Sequence, residues 1–195
     1  MKRYPVALSV AGSDPSGGAG IQADLKTFSA LGVYGAAAVT AITVQNTKGV
    51  KYVHSVPAQV VYDQIVAVME DLHPDAVKIG MVNDAATLDA IINALTDCRP
   101  PFLVVDPVMV SSSGKMLMSS DALTLLEKKL LPMTDLLTPN IPETLVLTGM
   151  PSVSANYLEA AARAILDYGT RSVLIKGGHA SGCVKTDMLF SILDG

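Results

Sequence analysis

The 195-residue chain is poor in cysteine, aromatic residues and charge. It has two cysteines, no tryptophan and 16% charged residues, and its formal net charge is -4. Cys98 and Cys183 lie far apart and form no zinc-ligand spacing with the three histidines, which is typical of a reduced, cytoplasmic protein. The small number of positive charges excludes a broad basic face for nucleic acid.

Long apolar runs are also absent. No stretch is long enough to span a membrane. The first apolar run follows two basic residues, as in a signal peptide, but Ser13, Asp14 and Pro15 end it too early for one. The sequence therefore predicts no membrane partner.

Several signatures of nucleotide and hydrolytic enzymes are missing. Neither G-x-x-x-x-G-K-[ST] nor G-x-S-x-G occurs, which argues against a P-loop kinase and an α/β-hydrolase. Residues 18–23 match the dinucleotide fingerprint, but no acidic residue occurs between Asp24 and Asp63 to bind a ribose hydroxyl. An NAD-dependent oxidoreductase is therefore the least favoured function.

Apolar residues, by contrast, make up 50% of the chain. Segments in which they form strand-like runs alternate with segments in which they recur at helical spacing. Apolar and β-branched runs predict strands at residues 6–11, 35–44, 52–56, 76–81, 102–105, 136–138 and 172–176. Helical spacing predicts helices at residues 21–31, 60–72, 84–95, 122–131 and 154–168, with Asn83 or Asp84, Ser119 or Ser120, and Ser154 as caps. This alternation indicates one α/β domain over residues 1–195, with a mostly parallel sheet and helices on both faces.

The loop after the first strand is rich in glycine. Four glycines within residues 12–20 let the backbone approach a ligand closely, and Asp14 and Asp24 supply hydrogen-bonding groups. Ligands bind at the carboxyl ends of strands in open α/β sheets, which is where this loop lies. The alternative is a glycine-rich connection in which Asp14 is a turn residue.

Polar side chains follow the other predicted strands as well. The residues at these ends are Asp14, Gln45, Met81, Asp106, Asn140 with Glu143, and Lys176 with Gly177 and Gly178. The carboxylates and the amide suit Mg²⁺, whereas a lysine followed by two glycines suits phosphate oxygens. Together they favour phosphoryl transfer.

Each of these residues also has a structural alternative. Asp106 before Pro107 can simply end a strand, Glu143 can be a first-turn residue favoured by the helix dipole, and Lys176 can be a solvated strand end. Met81 is more simply interpreted as a core residue than as part of a ligand-binding wall.

Six motifs occur in order along the chain. They are AGSDPSGGAGIQADLKTF, TAITVQNT, KIGM, VVDPVMV, NIPE and LIKGGH. In these motifs the chain resembles the hydroxymethylpyrimidine and phosphomethylpyrimidine kinases of thiamine biosynthesis, which have the ribokinase-like fold. The resemblance implies phosphorylation of 4-amino-5-hydroxymethyl-2-methylpyrimidine, and then of its monophosphate, with ATP and Mg²⁺.

The resemblance also implies roles for particular residues. Those expected around the pyrimidine are Gly12, Asp24, Gln45 and Met81. Asp106 and Glu143 are expected to organise Mg²⁺ largely through water, and Lys176 and Asp106 are the expected catalytic residues. Those expected on the ATP side are Asn140, Lys176, Thr186 and Asp187. A cytoplasmic homodimer is expected as well.

One part of the family pattern does not occur in the chain. The family has a Gly-Thr-Gly-Cys turn whose amides form an anion hole, and this sequence reaches Gly195 without it. The expectation is a C-terminally incomplete domain that is severely impaired as a kinase by itself. A pyridoxal kinase of the same superfamily and a non-catalytic pyrimidine-binding protein remain the alternative functions.

Overall fold

The computed structural model describes residues 4–109, 118–151, 157–179 and 185–192. Within these residues, eight strands form one sheet in the order β3-β2-β1-β4-β5-β6-β7-β8. The strands are β1 (Val6–Ser13), β2 (Tyr34–Asn46), β3 (Gly49–Ser55), β4 (Ala76–Ile79), β5 (Leu103–Val105), β6 (Leu136–Leu137), β7 (Ser172–Ile175) and β8 (Met188–Ser191). The six inner strands are parallel, and β3 and β8 pair antiparallel at the two edges. The predicted α/β class and mostly parallel sheet are confirmed.

Helices connect the parallel strands. They are α1 (Gly20–Ala30), α2 (Ala58–Leu72), α3 (Ala85–Asp97), α4 (Ser120–Leu125), α5 (Ile141–Thr148) and α6 (Leu158–Leu166). The structure selects Asp84 and Ser119 from the pairs of predicted caps, because each side chain accepts a hydrogen bond from a first-turn N–H. The predicted cap Ser154 lies outside the described residues.

The core lies between the sheet and its helices. Leu8 and Val10 of β1, Ile65 of α2 and Ile91 of α3 are fully buried in it. Because the central strands are buried on both faces, their carboxyl ends are held in a fixed arrangement along one edge of the sheet. None of the helices in the described ranges is both long enough and apolar enough to cross a membrane.

The edges of the sheet differ from the sequence prediction. The run 35–44 was expected to be covered on both faces, but Ile42 and Val44 are 53% and 52% exposed. The last residue of β1, Ser13, pairs with Ile42 of β2. The strand β2 extends past this point and forms a hairpin with β3. That end of β2 therefore projects beyond the helix-covered part of the sheet. The edge strand β8 was not predicted.

Several element boundaries also differ, among them those of β1, β4 and α4. The strand β1 continues through Gly12 and Ser13 rather than ending before the glycines. The strand predicted at 76–81 ends at Ile79, which leaves Met81 in the following loop. The helix predicted at 122–131 is α helical only to Leu125 and then widens into a π turn and a 3₁₀ turn.

Candidate active site

A cavity of about 420 Å³ opens at the carboxyl ends of β1, β2 and β4. All four residues expected around a pyrimidine line it, and Asp106 lines it too. Its lining residues are Ala11, Gly12, Ser13, Asp14, Ala19, Gly20, Ala23, Asp24, Thr43, Gln45, Val50, Lys78, Gly80, Met81, Asp106 and Val108. The fold therefore brings together residues that are widely separated in the sequence.

The Asp14 side chain organises the glycine-rich loop. It is 3% exposed, and its carboxylate accepts hydrogen bonds from the N–H groups of Ser16, Gly18 and Ala19 at 2.8–3.1 Å and from the Ser16 hydroxyl. Burial by itself would raise the pKa of Asp14, but these hydrogen bonds outweigh burial and hold the pKa below its ordinary value. Asp14 thus acts as a turn residue of the glycine-rich loop, which is the structural alternative to a ligand-binding role for this side chain.

Glycine allows the helix α1 to begin directly against β1. Gly20 has φ +56°, and a Cβ at this position would overlap the carbonyl oxygen of Gly12. On the other side, a Cβ at Gly12 would lie 2.7 Å from Cε of Met81. Met81 therefore fills the space beside Gly12 at the cavity wall, while α1 carries Asp24 over the sheet.

Asp24 is held by residues from two neighbouring strands. Its carboxylate accepts a hydrogen bond from Oγ of Ser9 at 2.6 Å and two from Nζ of Lys78 at 2.8 and 3.0 Å. Ser9 of β1 and Lys78 of β4 are register partners, so their side chains share one face of the sheet. Lys78 is not among the site residues predicted from the sequence. The signal was present, because a lysine between the buried Val77 and Ile79 requires a partner.

Gln45 presents a side-chain amide at the carboxyl end of β2. Its Oε1 lies 3.3 Å from the hydroxyl oxygen of Thr43, which also donates to the Ser13 carbonyl at 2.8 Å. An amide both donates and accepts hydrogen bonds, so it can match a heterocycle edge that alternates acceptor and donor.

An ion pair joins the ends of β5 and β7. The Nζ of Lys176 lies 2.6 Å from Oδ1 of Asp106, and the two side chains are 35% and 26% exposed. The hydroxyl of Thr138 lies 3.4 Å from the same Asp106 oxygen. Asn140 forms an isolated parallel bridge with Lys176. The predicted phosphate-side residues therefore lie together at one end of the cavity edge.

Glu143 and Asn140 form a capping box at the start of α5. Glu143 accepts a hydrogen bond from the Asn140 N–H at 2.8 Å, and Asn140 Oδ1 accepts one from the Glu143 N–H at 2.9 Å. Burial raises the pKa of Glu143, which is 2% exposed, although the Asn140 N–H and the Lys176 charge favour its ionised form. The first-turn alternative for Glu143 thus applies, and the Met109 N–H also hydrogen bonds to the carboxylate and favours its ionised form.

Thr186 and Asp187 lie against the turn that follows Lys176. Oδ1 of Asp187 accepts a hydrogen bond from the Gly177 N–H at 2.8 Å, and a Cβ at Gly177 would overlap the Thr186 backbone. Neither residue lines the cavity beside Gln45. The structure places both residues on the side of Lys176, and their contact with ATP stays a prediction.

The carboxylates at this edge are few. Among the described residues, no group of three or more His, Cys, Asp or Glu could hold a metal ion. Asp106 and Glu143 nevertheless fit Mg²⁺, because this ion keeps several waters and is commonly held by one or two carboxylates together with substrate phosphates.

Comparisons with known proteins agree with this geometry. A family model described as phosphomethylpyrimidine kinase matches residues 14–194. A hydroxymethylpyrimidine/phosphomethylpyrimidine kinase of Rhizobium meliloti is 50% identical over 187 residues, which are 95% of this chain and 70% of the relative. The crystal structure of a phosphomethylpyrimidine kinase from Clostridium difficile superposes with a TM-score of 0.89 at 46% identity, over 96% of this chain and 80% of that one.

A second activity occurs among the solved structures. A pyridoxal kinase from Staphylococcus aureus in complex with AMP-PCP superposes with a TM-score of 0.87 at 33% identity. The match covers 97% of this chain and 70% of that one. The ribokinase-like fold is therefore common to kinases named for a pyrimidine and for a pyridine substrate.

Proposed function

The chain belongs to the phosphomethylpyrimidine kinase family, and from this premise we propose that it phosphorylates 4-amino-5-hydroxymethyl-2-methylpyrimidine and its monophosphate with ATP in thiamine biosynthesis. Two observations support this proposal: the family match extends over residues 14–194, and the four residues expected around the pyrimidine line one cavity together with Asp106. The protein is a phosphotransferase whose two substrates meet at the carboxyl edge of the sheet.

The pyrimidine occupies the cavity at the ends of β1, β2 and β4. Gln45 hydrogen bonds to the aminopyrimidine edge, and Met81 packs its thioether against the ring. Gly12 leaves room for Met81 beside the ring, because a side chain at Gly12 would collide with Cε of Met81. Asp24 supplies a hydrogen-bond acceptor from α1.

ATP lies toward Asp106 and Lys176. Lys176 neutralises phosphate charge, while Asn140, Thr186 and Asp187 contact the nucleotide side. Asp106 and Glu143 hold Mg²⁺ largely through water, and this ion supplies charge neutralisation for the transferring phosphoryl group. Asp106 and Lys176, whose side chains lie 2.6 Å apart, are the catalytic residues in this proposal.

The working form is a cytoplasmic homodimer, with one kinase domain in each chain. The projecting end of the β2–β3 hairpin supports the dimer, because Ile42, Val44 and Tyr52 are each at least half exposed and Val44 pairs directly with Tyr52. Exposed apolar clusters of this kind mark protein interfaces. Use of ATP supports the cytoplasmic location.

Substrate preference tests the proposal. Protein produced from the complete reading frame should phosphorylate the hydroxymethylpyrimidine with a higher kcat/KM than pyridoxal. A preference for pyridoxal would assign it the activity for which the Staphylococcus aureus structure is named. Tight pyrimidine binding without phosphorylation of either compound would instead identify a non-catalytic binding protein.

A further inference from the structure

The cavity wall beneath α1 contains an ion pair with no assigned role. Lys78 and Asp24 form this pair, with side chains 24% and 18% exposed, and both line the cavity. The hydroxyl of Ser9, a fully buried residue of β1, donates a hydrogen bond to the Asp24 carboxylate. We call Lys78 and Asp24 the wall pair.

The strand β4 and the loop after it make room for this pair. Val77 and Ile79 are buried on the far face of β4, so Lys78 extends from the α1 face. A Cβ at Gly80 would lie 3.2 Å from Nζ of Lys78 and 2.9 Å from the Cβ of Ala11. The missing side chain at Gly80 therefore lets the ammonium group lie along the sheet at the cavity wall.

The hydrogen-bonding capacity of the wall pair is only partly used. Within the described part of the chain, both hydrogen bonds of the Lys78 ammonium go to Asp24, and an ammonium has a third N–H. Oδ2 of Asp24 accepts from both Ser9 and Lys78, whereas Oδ1 accepts from Lys78 alone. One donor and one acceptor therefore remain for a ligand, and the formal charges cancel.

The other charged groups among the described residues that line the cavity are already compensated. Asp14 after β1 is saturated by the loop N–H groups, and Asp106 after β5 is paired with Lys176. The part of β2 that lines the cavity contributes the uncharged Thr43 and Gln45. The wall pair therefore decides whether the ring meets a neutral or a charged surface.

We propose that Lys78 is a specificity-determining residue, which balances the charge of Asp24 so that the cavity takes an aminopyrimidine in its neutral form. This inference rests on the proposed function. An aminopyrimidine is a weak base, and an unpaired carboxylate beside its ring would favour the protonated ring by direct charge attraction. With Lys78 in place that attraction is cancelled, and the ring meets one donor and one acceptor.

The test is the pH dependence of pyrimidine binding, measured by calorimetry between about pH 5.5 and pH 8.5. The unaltered protein should lose affinity as acid protonates the ring. Lys78→Met should bind about tenfold more weakly at the alkaline end and regain affinity as the pH falls. Lys78→Arg should restore the original pH profile because it keeps the positive charge.

A matched control lies outside the cavity. Lys129 pairs with Asp89 at 3.0 Å on the surface, so Lys129→Met removes an ion pair of similar length without touching the cavity. Its binding profile should equal that of the unaltered protein. The melting temperature of each variant separates a loss of fold from a loss of binding.

The opposite change gives a second and independent readout. Asp24→Asn leaves the Lys78 ammonium unpaired, so its affinity should fall with acidification more steeply than that of the unaltered protein. If Lys78→Met fails to fold, this variant carries the test. A pH profile unchanged in both variants, or in Asp24→Asn alone where Lys78→Met does not fold, would overturn the inference. Failure of the unaltered protein to bind the pyrimidine would overturn the proposed function as well.

Discussion

Individual side chains at the strand ends differ in how much the fold already uses them. Asp14 is committed to the loop through its hydrogen bonds to Ser16, Gly18 and Ala19. The side chain of Gln45, in contrast, makes one weak hydrogen bond among the residues that the structure describes, with Thr43 at 3.3 Å. Substitution of a residue such as Gln45, which the fold hardly uses, is expected to affect ligand binding with little effect on the stability of the protein.

Gln45→Ala should therefore weaken pyrimidine binding by about 1 to 3 kcal/mol, because buried hydrogen-bonding groups of the ligand lose their partner. Calorimetric titration with the hydroxymethylpyrimidine measures the change. Gln59→Ala on the exposed face of α2 is the matched control and should bind normally. Equal affinity for Gln45→Ala and the unaltered protein would place the pyrimidine away from the end of β2.

Glu143 allows a prediction about stability and pH. Its pKa is raised in the folded state by burial, so its protonated form stabilises the fold at low pH and this contribution is lost as the pH rises through the raised pKa. Glu143→Gln keeps an acceptor for the Asn140 N–H but removes the buried charge. Its melting temperature should exceed that of the unaltered protein at neutral pH, and the difference should narrow in acid.

The control for this prediction is Glu159→Gln. Glu159 is 67% exposed and pairs with Arg163 within α6, so its removal should give no gain at neutral pH. A Glu143→Gln variant that is less stable than the unaltered protein at neutral pH would show that the carboxylate charge is needed for the fold.

The sequence predicted part of the site because strand ends can be recognised locally. Gln45, Asp106 and Lys176 each follow an apolar run, and parallel pairing brings such ends to one edge. The local pattern indicates that Lys78 needs a partner, but which carboxylate it meets depends on the register between β1 and β4, which no local pattern encodes. The roles assigned to the residues remain predictions.

Secondary-structure elements were predicted where their periodicity is strong and local. The helix α1 and the cap of α3 are confirmed, since the signals that specify them are contained within a few residues. Edge strands depend on tertiary pairing instead. The antiparallel direction of β3 and the existence of β8 follow from their neighbours in the sheet, so neither was predicted.

The junction between β1 and α1 gives a prediction about glycine. Gly20 and Gly32 both have positive φ, at +56° and +72°, but only Gly20 has backbone atoms where a Cβ would lie. Gly32→Ala should cost roughly 1 to 2 kcal/mol from the left-handed conformation alone. Gly20→Ala should cost more, and it should also weaken pyrimidine binding because Gly12 would be displaced.

Urea unfolding of the two variants measures this difference. Equal losses of stability in Gly20→Ala and Gly32→Ala would contradict the close approach of α1 to β1 as the basis of the cavity wall.

At the scale of the whole molecule, the fold class could be predicted from the sequence, but the exposed apolar surface at the end of β2 could not. The alternation of strands and helices indicated the mostly parallel sheet, and the order of six motifs indicated the family. The uncovered end of β2 could not be predicted, because its composition is that of a buried strand. That apolar surface leads to the proposal of a homodimer.

Val44→Glu should dissociate the proposed dimer. A charge placed at an apolar interface without a partner costs roughly 3 to 5 kcal/mol. Sedimentation velocity should show a monomer for this variant and a dimer for Leu189→Glu, which changes an exposed apolar residue at the opposite edge of the sheet. A dimer that persists in Val44→Glu would place the interface elsewhere.

Phosphoryl transfer itself can be followed by ³¹P NMR with protein from the complete reading frame, ATP, Mg²⁺ and the hydroxymethylpyrimidine. We expect a phosphate ester of the pyrimidine to form at the rate at which ATP is lost, only when all components are present, and more slowly with Asp106→Asn. Loss of ATP to inorganic phosphate without that ester, or no loss of ATP, would contradict a pyrimidine kinase at this edge of the sheet.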